Sequence, residues 1–191
     1  MDDTRRPDSD LVDAVLAGRP GAFERLVREH QGLCWHIILR MVRNPEEARE
    51  LCQDTFLRVH QCLHQYRHES ALKSWIGRVA YSIALRHLQR KRIPLVESTD
   101  DDGCTLVESV GDDFDLEAAC GDEEIVRHLH VAIETLPPFQ RMLLTLHYLD
   151  EVPIAEIASI TGLASGTIKS HLFRSRLRLR NALETRTGVL V

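Results

Sequence analysis

Residues 154–176 (IAEIASITGLASGTIKSHLFRSR) constrain the fold more than any other stretch of the chain. They read as two short helices joined by a tight turn, with the second helix running on into a ladder of arginines. Close contact between such helices needs a small residue, supplied by Ala158, and a turn residue tolerant of positive φ, supplied by Gly162. Ile168 is the branched apolar residue that locks the second helix onto the first, and Ser165 is placed to cap it. Ile168, Leu172, Leu179 and Leu183 recur at helical spacing and face inward. That leaves Lys169, Arg174, Arg176, Arg178 and Arg180 to reach phosphates and base edges, as a helix-turn-helix presents its second helix to the major groove. An amphipathic helix with a solvated basic face is the plainer alternative. It does not require apolar lock, glycine turn and basic face to agree in register, as they do here.

A net charge of −5 is unexpected for a nucleic-acid binder until it is divided along the chain. Residues 1–97 carry +3, residues 98–124 carry −11 with no Lys or Arg, and residues 125–191 again carry +3. The acidic segment has little apolar periodicity and reads as a flexible connector whose like charges repel. The expected architecture is therefore all-α, with two small helical domains at 8–95 and 125–186 joined by a flexible acidic linker at 96–124. Few aromatics and abundant Leu, Ala, Arg and Glu favour helix over sheet. No apolar run approaches the roughly 18 residues of a membrane span, and the first residues lack the apolar core of a signal peptide. Five scattered cysteines with no CxxC pair fit a reduced, cytoplasmic setting, with no membrane insertion.

The first domain reads as helix after helix. Ser9 or Asp10 is placed to cap a short helix ended by Gly18, and Pro20 opens a longer one carrying Phe23, Leu26, Val27, Leu33, Cys34, Ile37, Ile38 and Met41. Asn44-Pro45 is a cap followed by proline at the first helical position. The next helix holds Ala48, Leu51, Cys52, Thr55, Val59 and Leu63 inward, and a polar break precedes a last helix from about Leu72 to Arg92. In that helix Trp75, Ile76, Val79, Ile83 and Leu88 pack, while Lys73, Arg78, Arg86, Arg90, Lys91 and Arg92 project. Basic residues interleaved with Trp75 and Tyr81 suit single-stranded or melting DNA, although Trp75 alone reads more simply as core.

Five blocks in order resemble the extracytoplasmic-function group of bacterial sigma factors, from about residue 10 to 185. Leu136-Pro137-Pro138 through Arg141, then Ile157-Ala158, then Gly166-Thr167-Ile168-Lys169-Ser170 look like region four. Residues 47–59 (EARELCQDTFLRV) and 74–80 (SWIGRVA) look like region two. The resemblance implies an alternative sigma factor that binds core RNA polymerase and directs promoter-specific initiation, without cofactor or catalysis. It implies that Gln53, Asp54, Phe56, Leu57 and Arg58 dock on the clamp helices of the largest polymerase subunit, and that region four meets the flap of the second largest. Lys73, Trp75, Arg78, Ser82 and Arg86 would serve the minus-ten element, where a flipped base is captured. Ser165, Thr167, Lys169, Ser170, His171, Arg174, Arg176 and Arg178 would serve the minus-thirty-five element. An anti-sigma factor is a further partner expected from the family. The chain departs from the pattern at Arg49, which replaces an acid, at Ser82 and Arg86, which replace asparagine and aspartate, and at His171, where arginine is frequent.

Other signals point elsewhere less strongly. His60, His64 and His68 with Cys62 have a spacing that suits a metal, but no partner cluster accompanies them, and no metal site is expected. The aspartates of the acidic segment lack EF-hand spacing. No phosphate loop or nucleophile constellation is present, and Tyr66, Tyr81 and Tyr148 lack the basic neighbourhood of a recombinase. A stand-alone helix-turn-helix regulator, with the first domain as dimerisation or ligand module, remains the competing function class. Such a regulator binds its duplex operator alone, whereas an initiation factor works with polymerase.

Overall fold

The computed structural model describes residues 5–95 and 123–187, and they form an all-helical structure. The first half contains α1 (Arg5–Leu16), α2 (Ala22–Val42), α3 (Pro45–Cys62) with a 3-10 turn at Leu63–Gln65, and α4 (Leu72–Arg90). The second contains α5 (Glu123–Thr135), α6 (Pro138–Leu144) continued by a π-helical turn at Thr145–Leu149, α7 (Ile154–Thr161) and α8 (Ser165–Thr187). The expected linker at 96–124 lies outside the described residues except for its last two, which begin α5. Cys104 and Cys120 lie outside them as well.

Local chemistry sets several helix ends. Asn44 accepts hydrogen bonds from the Glu46 and Glu47 N–H groups (2.9 and 3.4 Å), and Pro45 follows at the first helical position. Gly162 closes α7 at φ 77°, its N–H donating to the Ala158 carbonyl at 2.9 Å. Other ends differ from the sequence expectation. The first helix starts at Arg5, ahead of Ser9 and Asp10, and the second starts at Ala22 after Gly21 rather than at Pro20. α8 begins at Ser165 itself, with the Ile168 N–H on the Ala164 carbonyl, so Ala164 occupies the capping position. At α4 the cap comes from far away: Asp8 of α1 accepts the Leu72 N–H at 3.0 Å.

α2 runs through the middle of the molecule, packed by α3 and α4 on one side and by α6 on another. Leu26, Ile37, Ile38 and Met41 of α2 meet Ala48, Leu51 and Val59 of α3 and Leu72, Ile76, Ala80 and Leu88 of α4 in one dry core. Met142 and Leu143 of α6, Ile157 and Ile160 of α7, and Ile168 and Leu172 of α8 belong to that same core. A smaller core closes the far end, where Leu129, Ala132, Ile133 and Leu136 of α5 pack on Leu144, Leu179 and Leu183. The two halves are thus in direct contact, which the charge pattern alone does not report. Helical periodicity reports that a face is covered without reporting by what.

Glu47, near the start of α3, accepts from Lys91 Nζ at 2.6 Å and pairs with His87 Nε2 at 2.8 Å, tying α3 to the end of α4. These bonds, Lys91 first, hold its carboxyl below the usual value of 4.5. The stabilisation is therefore present above that pH and is lost as the pH falls through the lowered folded value. In urea titrations Glu47→Gln should destabilise by up to about 1 kcal/mol at neutral pH, the surface-pair range. The difference from the unmodified chain should close on acidification below pH 4.5. Asn44→Ala, assayed the same way, should cost about 1 kcal/mol without changing the denaturant slope.

Candidate nucleic-acid and partner-binding surfaces

The second helix of the helix-turn-helix sorts its side chains by face. Ile168, Leu172, Ser175 and Leu179 turn inward, each 4% exposed or less. The Ser175 hydroxyl donates to the His171 carbonyl at 2.8 Å, which satisfies it inside the fold. Ser165, Gly166, Thr167 and Lys169 at the N-terminal end are exposed, where free backbone N–H groups and the helix dipole favour phosphate. Ser170 is half-buried and donates back to the Gly166 carbonyl at 3.0 Å. Further along, Arg174 Nε donates to the Ser170 carbonyl (3.4 Å) and Arg176 is half-buried.

Two expected groove residues are turned elsewhere in this arrangement. His171 packs edge-on against Phe139 with ring centroids 5.1 Å apart. Arg178 Nη1 donates to Gln140 Oε1 at 3.2 Å. Both follow from α6 lying against α8, a contact that a helical wheel of α8 alone does not contain.

The expected minus-ten residues all lie on α4, but they are not equally presented. Trp75 is half-buried with its ring 5.6 Å from Tyr66. Tyr66 donates to the Ser70 carbonyl at 2.6 Å and contacts His68, so this aromatic group braces the turn leading into α4. Ser82 accepts from Arg86 Nη2 at 3.1 Å, and the exposed Arg86, Gln89 and Arg90 line a basic depression. Lys73 and Arg78, by contrast, are held by α7. Lys73 Nζ lies 3.1 Å from Glu156, and Arg78 donates through Nε and Nη2 to the Ser159 carbonyl at 2.8 and 2.6 Å. His60 meets Phe23 edge-on and His68 meets Tyr66, so the histidine series is split between two aromatic contacts.

A third surface is apolar. Between α2 and α3 runs an open groove of about 740 Å³, lined on one wall by Phe23, Val27 and Trp35 and on the other by Cys52, Phe56 and Leu57. Leu57 stands 62% exposed on its edge, and Gln53, Asp54 and Arg58 share the exposed face of α3 with it. Phe56, at 8% exposure, is part of the core and forms the groove floor. Trp35 and the α2 wall went unassigned in the sequence because Phe23 and Val27 fit a core pattern equally well. Burial pushes the Cys52 thiol up to about 11, so it stays protonated and serves as apolar lining.

Arg141 had no assigned role beyond its motif position, and it is 1% exposed. Its guanidinium donates to four carbonyls: Arg40 at 2.6 Å and Met41 at 3.3 Å at the end of α2, and Leu136 at 3.0 Å and Glu134 at 3.4 Å at the end of α5. Burial, with Arg43 nearby, lowers its pKa to about 10, which leaves it charged at neutral pH.

Comparison with known proteins agrees with this layout. Residues 26–93 match the family model for sigma-70 region 2, and residues 127–179 match that for sigma-70 region 4. The chain is 30% identical over 185 residues to the RNA polymerase sigma-H factor of Pseudomonas aeruginosa, covering 95% of this chain and 96% of that one. It is 28% identical over 184 residues to the ECF RNA polymerase sigma-E factor of Escherichia coli K12, covering 93% and 94%. The fold is similar to that of CnrH solved in complex with the cytosolic domain of CnrY, with TM-score 0.64, 18% identity and coverage of 93% and 97%. It is also similar to the sigma factor RpoE solved with the anti-sigma factor NepR from Bartonella quintana, with TM-score 0.60, 22% identity and coverage of 86% and 98%. A region-two bundle followed by a region-four helix-turn-helix, matched over nearly its whole length by a relative of this kind, places the chain in the sigma-70 family, as an alternative sigma factor of the extracytoplasmic-function group that directs promoter-specific transcription.

Proposed function

We propose that the chain docks on core RNA polymerase through the α2–α3 groove and reads promoter DNA with α4 and α8. The observation that carries the docking half is the exposed Leu57 on the lip of an apolar groove, flanked by Gln53, Asp54 and Arg58. An apolar centre with a polar rim is the make-up of a protein–protein contact. The clamp helices of the largest polymerase subunit are the assigned partner there, and the flap of the second largest is assigned to region four. On the DNA side, Ser165, Thr167 and Lys169 at the open end of α8 take the minus-thirty-five groove, with Arg174 and Arg176 on the phosphates. The basic face of α4 takes the melted minus-ten strand, with Arg86 neutralising a phosphate and Trp75 bracing the base-capturing turn. The sigma factor RpoE of Bartonella quintana, which shares this fold, was solved with the anti-sigma factor NepR, and an anti-sigma factor is the further partner assigned to this chain. The chain performs no chemistry of its own in this scheme and acts in the cytoplasm, where polymerase and promoter are.

The deciding experiment is to purify the chain with core polymerase and map transcript starts after forced expression. New starts sharing both elements are expected. Tight, sequence-specific binding to duplex DNA by the chain alone, with no effect on polymerase, would identify a stand-alone regulator instead. Lys169→Ala with Arg174→Ala should cut initiation by about tenfold or more, since each base-edge contact is worth roughly 1–3 kcal/mol, while polymerase binding is retained. Leu57→Asp should do the reverse, weakening the polymerase complex while helix content stays unchanged. Phe56→Ala should lower folding stability by about 3 kcal/mol, because it empties a core site.

A further inference from the structure

We propose that Asp8 of α1 is a positioning residue for minus-ten reading, capping α4 from outside and so holding the turn at 66–71 in the shape that receives an extruded base. The inference rests on the assignment of that turn and of α4 to the minus-ten element.

A helix leaves its first N–H groups without partners in its own backbone. At α4 the local sequence supplies no side chain for them: Ala71 stands at the capping position with no side-chain hydrogen bond, and the first turn holds no acid. Alanine is a poor cap, and Lys73 in that first turn opposes the helix dipole. Asp8 supplies what is missing, since its Oδ2 accepts the Leu72 N–H at 3.0 Å across 64 residues of chain. A carboxylate on a backbone N–H is among the stronger hydrogen bonds. Asp8 is itself held in place, because Leu11, Val12 and Val15 of the same helix are buried in the core. His30 of α2 is buried close by: burial pushes its pKa down, the charges of Asp8 and Glu29 raise it, and Lys73 lowers it. Three helices thus converge on the start of α4.

That start carries the turn. Leu63 on one side and Leu72 on the other are 1% exposed or less, so both ends of the turn are sunk in the core. Between them the Tyr66 hydroxyl donates to the Ser70 carbonyl at 2.6 Å, and the Tyr66 ring centroid lies 4.5 Å from that of His68 and 5.6 Å from that of Trp75. His68 takes φ 57°, a left-handed conformation that costs a non-glycine residue energy and persists where neighbours hold it. The tip, with Arg67 and Glu69 exposed, is therefore set by Tyr66, and Tyr66 is set in part by Trp75, one turn into α4. Helix ends fray when nothing holds them, and a frayed first turn moves Trp75 and the tip with it. Asp8 touches no DNA in this scheme and acts through the shape of the turn. It also lies ahead of residues 26–93, the segment matched to region 2, so α1 joins the reading unit from outside that match.

The test uses the full chain with core polymerase on a mapped promoter. The captured position is the minus-ten base whose replacement costs the unmodified chain most. The score is the ratio of transcription with that base in place to transcription with it replaced. Asp8→Ala is expected to lower this ratio several-fold. Asp8→Asn keeps an acceptor oxygen and should retain most of it. Adding a local cap, as in Asp8→Ala/Ala71→Ser, should restore the ratio, because a serine at the capping position serves the same end of α4. A purely structural role would lower transcript yield from both templates alike and leave the ratio unchanged, and that result overturns the proposal. So does an Asp8→Asn loss as complete as that of Asp8→Ala, or a double variant that folds without regaining the ratio. Should Asp8→Ala fail to fold, amide exchange in the unmodified chain decides instead. The Leu72 N–H should then exchange about tenfold or more slower than those of Arg67 and Glu69, and exchange as fast as theirs overturns the cap. If the unmodified chain shows no base preference at any minus-ten position, the assignment of the turn has failed, a result distinct from all of these.

Discussion

The approach of α7 to α4 at Gly77 determines how the rest of the molecule is arranged. With a Cβ position only 3.0 Å from Ile160, the two helices meet as closely as packing allows, and the apolar faces of α6 and α7 become one core with α2 and α4. Close-packed interiors favour one of two discrete arrangements over gradual separation. The halves are therefore expected to be joined or apart, with little between. Arg141 sharpens this choice, since its guanidinium serves the ends of α2 and α5 together. Parting the halves removes the partner of the α2 carbonyls but leaves the α5 carbonyls with theirs.

Much of the local structure was legible in the sequence because its causes are local. The Asn44-Pro45 cap, the Gly162 turn and the inward Ile168, Leu172, Leu179 and Leu183 each depend on a few neighbouring residues. What stayed hidden depends on residues far apart in the chain. Asp8 capping α4 spans 64 positions, and Arg141 reaching Arg40 spans 101. Likewise, periodicity placed Ile160 and Phe139 on covered faces but did not say that region two covers them. The inward turn of His171 and the pairing of Arg178 with Gln140 follow from the same cause, the position of α6.

The surfaces differ in how far the packing of the two halves reaches them. The α2–α3 groove lies open between its own two helices, with Leu57 on its lip. The N-terminal end of α8 also keeps Thr167 and Lys169 exposed. Lys73 and Arg78 of α4 stay exposed while bonding to Glu156 and Ser159 of α7.

The most direct measurement is the distance between the halves of the free chain, read from spin labels or fluorophores at exposed Gln61 of α3 and Asn181 of α8. A single short distance in the free chain is the result this account predicts. A broad or long distribution would contradict it.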